Sequence, residues 1–194
     1  MDTTAPNPRR ITMTPAARRV LAAAARLFYE RGIHAVGVDL ISAEAGVTKK
    51  TLYDRFGSKE QIVVEYLADR DERWRAFLAE RLDAAGPAPG ERVLAVFDAS
   101  RAWAEEFSPR GCSMVNAHAE IGDPAHPARP IITGQKRWML ALFTDLASEI
   151  APETADATAR TLMLLHEGAL VAHGLDVFPD AIAQAREHAR ALLA

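Results

Sequence analysis

The chain contains a single cysteine, Cys112, in 194 residues. An internal disulfide framework is therefore excluded, and the thiol usage fits a reducing cytoplasm. No apolar run approaches the roughly 18 residues that a membrane helix needs, so a membrane partner is not expected. The first ten residues, Met1 to Arg10, lack the apolar stretch of a secretion signal. Alternating, β-branched strand patterns are missing, as are internal repeats and low-complexity tracts. There is no phosphate-cradling glycine loop, no Gly-x-Ser-x-Gly and no acid pair beside a nucleophile, which speaks against an enzyme. Paired Cys/His spacing is missing too. His166 and His173 are two helical turns apart, roughly 10.5 Å, and His118 and Glu120 point to different helix faces. Neither a metal nor any other cofactor is expected.

What is present is an ordinary globular composition, with 49% hydrophobic and 25% charged residues. The net charge of −3 is unevenly spread. Residues 1–60 carry ten Lys/Arg against six Asp/Glu, a balance of +4, while residues 61–194 carry thirteen against twenty, a balance of −7. A basic head on an acidic body would meet phosphates at one end only.

Helical signals run the length of the chain. Thr14-Pro15 reads as an N-cap followed by proline at the first helical position, and Gly32 closes that segment. Short helices are predicted at 38–45 and 48–56, stopped by Gly46 and Gly57. Ser58 to Gln61 reads as a capping box that opens a long helix reaching about residue 85. Gly86-Pro87-Ala88-Pro89-Gly90 is the clearest breaker. Further helices are predicted at 91–107, 112–121, 130–150, 154–173 and 179–193. The expected fold class is all-α with about nine helices, divided into a helix-turn-helix head over residues 1–60 and a helical body over 61–194.

The densest chemistry lies between Ile41 and Lys59. Two short helices joined by a glycine turn describe a helix-turn-helix, with Ile41, Ala45, Val47, Leu52 and Phe56 spaced to pack inward. Thr48, Lys49, Lys50 and Thr51 place two ammonium groups, two hydroxyls and free backbone N–H groups at one helix end. Such groups contact phosphates and base edges in a major groove. Tyr53 and Lys59 flank that end. Lysines on an ordinary surface helix would carry no such meaning; the surrounding pattern gives it to them.

Gly46 to Glu60, with its glycine turn, Leu52-Tyr53 pair, Phe56 and Ser58-Lys59-Glu60, resembles the DNA-binding signature of the TetR family, and the similarity covers about residues 12–62. The resemblance implies a one-component transcriptional regulator, most often a repressor, that binds a palindromic DNA operator as a dimer and is released by a small-molecule effector. It implies that Thr48, Lys49, Lys50 and Thr51 face DNA, with Tyr53 and Lys59 on phosphates. Many members carry Thr or Ser where this chain has Gly37, so only a backbone N–H can serve there. Lys50 stands where small residues are frequent, which bears on base preference. Arg110 to Glu120 and Asp123 to Pro127 are similar to a stretch recurring in one subgroup of these regulators.

In such regulators the body holds the ligand pocket, and the last two helices form a four-helix bundle with the twin subunit. Aromatic, sulfur-bearing and polar residues in apolar helices are the pocket candidates: Trp103, Phe107, Cys112, Met114, Asn116, His118, Trp138, Met163, His166 and Glu167. Asn116 and His166 stand out, because a buried polar group needs a partner. For each of the ten the plain alternative is a core filler or satisfied polar residue, and a redox role for Cys112 is open beside a structural one. The competing reading of the whole chain is a small all-α enzyme or a ligand-binding protein without DNA binding. Heparin retention and its salt dependence separate the two.

Overall fold

The computed structural model describes residues 10–193. Among them the chain forms α1 Pro15–Arg31, α2 Val38–Glu44, α3 Lys49–Phe56, α4 Lys59–Ala84, α5 Pro89–Phe107, α6 Ser113–Glu120, α7 Arg129–Ile150, a 3-10 turn Pro152–Thr154, α8 Ala155–Gly174 and α9 Ala181–Leu192. The described residues contain no strand. The expected all-α class of about nine helices is what the described residues adopt.

Local chemistry accounts for most of the boundaries. Thr14 Oγ1 accepts the Ala17 N–H at 3.2 Å, and Pro15 needs no intrahelical partner at the first position. Gly32 ends α1 at φ +89°, a left-handed conformation that suits glycine. Ser58 Oγ accepts the Gln61 N–H at 3.2 Å and so starts α4. One boundary differs from expectation. α5 begins at Pro89, inside the predicted breaker, because proline at a first helical position loses only a hydrogen bond that the helix would not make.

The structure divides into two compact units. The first comprises the chain up to Asp71 together with Ser113–Gly134. Its α1, α2 and α3 pack on one another, burying Val20, Leu27, Phe28, Ile41, Leu52 and Phe56. Phe28 meets Tyr66 of α4 at 5.7 Å between ring centroids. Glu120, the last residue of α6, accepts the His34 N–H at 2.8 Å, just after α1 ends. The sequence placed the head's boundary after residue 60; the compact unit runs about three more turns along α4, to Asp71, and includes α6.

The second unit comprises Glu72–Cys112 and Gln135 to the C-terminus. Its core gathers Trp74, Leu78, Phe97, Met139, Phe143, Leu146, Leu162 and Ile182. α9 packs on both α5 and α8. Buried Ala159, Ala169, Ala185 and Ala189 keep these helices close. Removing such apolar surface from water stabilises by about 25 cal/mol per Å².

Candidate nucleic-acid interface and effector body

The turn between α2 and α3 is built by Gly46 at φ +61° and by the Val47 N–H donating to Ser42 O at 3.0 Å. Arg19 of α1 donates to Ala45 O at 3.4 Å, bracing the turn from behind. Thr48 then caps α3, its Oγ1 accepting the Thr51 N–H at 3.1 Å. Leu52 (0% exposed) and Phe56 (4%) fix α3 to the core of the first unit. Lys49, Lys50 and Tyr53 are left in solvent, with Thr51 and Lys59 half-buried.

Two features of this tip were not expected from sequence. The Thr48 and Thr51 hydroxyls lie 2.9 Å apart and bond to each other. That bond uses one hydroxyl hydrogen, so one remains for an outside acceptor. Both lysines also have acidic partners: Lys49 pairs with Asp39 in the first turn of α2, and Lys50 pairs with Asp54 one turn along α3 at 2.8 Å. Asp54 follows the i, i+4 rule and was readable in retrospect. Asp39 joins two helices, and no local pattern announces it. At the start of α4, a backbone hydrogen bond at Glu60 itself and the Ser58 side chain hold the Glu60 carboxyl below its ordinary pKa.

The ten body candidates separate into groups. Trp103 and Phe107 of α5 stand 4.6 Å apart between centroids and, with Trp74 and Phe77 of α4, form an aromatic cluster. The Arg73 guanidinium lies 5.3 Å from the Phe107 centroid. Trp138 lies under Arg75 at 4.1 Å, and Met163 packs on the core. Cys112, His166 and Glu167 are brought together by a residue that sequence reasoning missed. Lys136 Nζ donates to Cys112 Sγ at 3.2 Å and meets Glu167 Oε2 at 2.7 Å. His166 Nδ1 lies 3.2 Å from Glu167 Oε1, and Nε2 lies 2.8 Å from Ser100 Oγ.

Burial raises the pKa of Glu167, but the hydrogen bond with His166 and the charge of Lys136 outweigh it and hold the group at about 2. For Lys136 burial works against the ammonium, and the Cys112 sulfur and the Glu167 carboxylate outweigh it, so its pKa rises. Met114, Asn116 and His118 belong instead to α6 of the first unit. Met114 is buried, but Asn116 and His118 are exposed. The premise of a buried Asn116 in want of a partner does not hold, because α6 buries Ser113, Met114 and Ala117 and turns Asn116 away. Gln135, not singled out in sequence, has a buried side-chain oxygen without a hydrogen-bond partner. No three or more His, Cys, Asp or Glu side chains among the described residues form a group that could hold a metal ion. No helix among those residues is long and apolar enough to cross a membrane.

A family model described as bacterial regulatory proteins, tetR family, matches residues 20–66. The solved structure of a TetR-family transcriptional regulator from Streptomyces coelicolor is 34% identical, with 92% of each chain covered and a TM-score of 0.81. The HTH-type transcriptional repressor KstR2 of Mycolicibacterium smegmatis is 39% identical over 88 residues, 44% of this chain and 42% of that protein. The HTH-type transcriptional activator FasR of the same organism is 43% identical over 49 residues, 25% of this chain and 22% of that protein. The chain thus spans less than half the length of these two curated relatives. The family model covers most of α1, all of α2 and α3 and the start of α4, and the likeness to the Streptomyces coelicolor regulator extends through the body. The chain belongs to the TetR family of transcriptional regulators.

Proposed function

We propose that this protein is a one-component repressor that grips a palindromic operator as a homodimer and releases it when a small organic ligand enters the body. The observation that carries this reading is the α3 tip. Lys49, Lys50 and Tyr53 project into solvent from a helix whose Leu52 and Phe56 are buried. In the major groove, Thr48 to Thr51 would face the DNA, while Tyr53 and Lys59 would take phosphates. The reading head occupies residues 1–60, and 61–194 sense the ligand and dimerise. Such a regulator acts where the DNA is, in the cytoplasm, and no catalytic role is assigned to any residue.

Dimerisation through α8 and α9 is supported by what α8 leaves uncovered. Leu164 (74% exposed), Val171 and Leu175 recur along one helical stripe, followed by exposed Val177 and Phe178. Gly168 lies in the same stripe and has no atom within 4 Å of where a Cβ would sit, leaving room for a close second helix. A contiguous apolar surface of this kind marks an association site. Pairing would set the two α3 helices about one DNA turn apart, roughly 34–36 Å, or a multiple of it.

Aromatic surface at Trp103 and Phe107, the polar relay at Cys112, His166 and Glu167, and the unpartnered Gln135 oxygen favour a mid-sized organic effector with aromatic and hydrogen-bonding parts. Such a ligand acts by preferring one conformation, shifting α4 so that the heads leave register. Activation is a second reading, since FasR is named an activator. The experiment is to select duplexes from a random-centre pool with the purified protein and place a selected site in a reporter. Repression relieved by small molecules is expected; stimulation would favour activation, and failure to select any sequence would overturn both.

A further inference from the structure

The ion pair between Asp39 and Lys49 spans the two helices of the reading head, and both side chains are in solvent, 69% and 58% exposed respectively. Asp39 stands in the first turn of α2, and Lys49 opens α3. The neighbouring lysine differs: Lys50, 84% exposed, pairs only along its own helix with Asp54. The two lysines of the tip are therefore not equivalent. One is tethered across the turn, and the other swings on its own helix.

We propose that Asp39 is a specificity-determining residue, which keeps Lys49 from serving as a general phosphate contact and reserves it for a base edge. This rests on the DNA-binding reading given above. A phosphate offers Lys49 an anionic oxygen, which Asp39 already supplies. Exchanging one for the other gains little and leaves an aspartate facing the negative backbone. A guanine edge presents neutral acceptors, O6 and N7, inside the groove. The ammonium has three hydrogens, so it can donate to that edge and stay bonded to Asp39. The carboxylate thereby weakens binding to arbitrary sequence more than binding to the operator.

The size of the effect follows from the exposure of the pair. An exposed ion pair changes an equilibrium by about twofold to fivefold. Two heads on one duplex multiply this to about fourfold to twentyfold. Freeing one lysine per head for phosphate also steepens the salt dependence on arbitrary DNA by about two, at roughly 0.9 per contact.

The test uses the full-length protein, a duplex selected by the wild type, and a scrambled duplex of equal length. Asp39→Asn keeps the size of the side chain, and Asp39→Ala is a second variant; both positions are exposed, and circular dichroism checks the fold. Expected is a gain of about fourfold to twentyfold on the scrambled duplex with a much smaller change on the selected one. In a Lys49→Ala background the same Asp39 substitution should give a clearly smaller gain on the scrambled duplex, because only the carboxylate's own repulsion of the backbone is then relieved. Equal gains on both duplexes, no gain, or an undiminished gain without Lys49 would overturn the proposal. A wild type that fails to distinguish the two duplexes would instead overturn the DNA-binding reading beneath it.

Discussion

Lys136 of α7 and Glu167 of α8 meet at 2.7 Å, each with less than a quarter of its side chain exposed. They tie two helices of the second unit together at the point where Cys112, just before α6, also touches the lysine. The pair gives the body a pH signature. Glu167 is held at about 2, below its ordinary 4.5, so its contribution is complete above 4.5 and disappears as pH falls towards 2. Lys136 is raised above 10.5, so its contribution is complete below that value and is lost at higher pH. Thermal unfolding followed from pH 7 to pH 2 should lose up to about 3 kcal/mol through Glu167.

Glu167→Gln should lower stability at neutral pH by about 1–3 kcal/mol, since it leaves a largely buried ammonium without its anion. The acid-dependent loss should shrink with it. Chemical denaturation of the two proteins at pH 7 and near pH 2 measures both changes.

On the surface of the head, Lys49→Ala should weaken binding to the selected duplex by about 1–3 kcal/mol and flatten its sequence preference. Tyr53→Ala should weaken binding by a similar factor on all sequences. Neither change touches the buried anchors Leu52 and Phe56, so melting temperature and oligomeric state should not move. Fluorescence anisotropy, a thermal melt and light scattering check the three quantities in turn.

Leu164→Glu or Val171→Glu should separate the proposed dimer, because each symmetric interface would bury two carboxylates without partners. Dissociation should become at least about a hundredfold easier, and operator binding should fall with it. Sedimentation velocity over a concentration series reads the change; a dimer of unaltered stability would move the interface away from α8.

Gly111 sits at φ +76°, and a Cβ there would come within 2.9 Å of Leu170 O. Gly111→Ala should therefore destabilise by about 2–4 kcal/mol, combining backbone strain with a contact against main chain that cannot swing aside. Gly168→Ala is the useful contrast, because its Cβ meets nothing in the single chain. It should leave the fold intact and act, if at all, on dimerisation.

Most of the fold was legible because the signals are local. Thr14, Thr48 and Ser58 each sit three residues before the N–H they cap, and Leu52 and Phe56 lie on one face of the same short helix. What was not legible depends on distant chain. Lys136 lies 24 residues from Cys112 and 31 from Glu167, and in an amphipathic helix it reads as surface. Glu120 reaches back 86 residues to His34, within the first unit to which α6 belongs. Ser58 marked where α4 begins, but Val63, Val64 and Tyr66 beyond it are still buried in the first unit, so the cap did not mark the edge of that unit. The exposure of Asn116 was illegible for a different reason. An eight-residue helix has one narrow buried arc, and composition does not say which arc it is.

The most direct measurement is the affinity of the purified protein for a selected duplex between 50 and 200 mM salt, about a fourfold range. Lys50 and Lys59 of two heads would supply at least four phosphate contacts, giving a slope of log affinity against log salt of roughly −4. Affinity should then fall by more than about a hundredfold across the range and far exceed that for a scrambled duplex at every point. A flat salt response, or equal affinity for the two duplexes, would contradict the account at its centre.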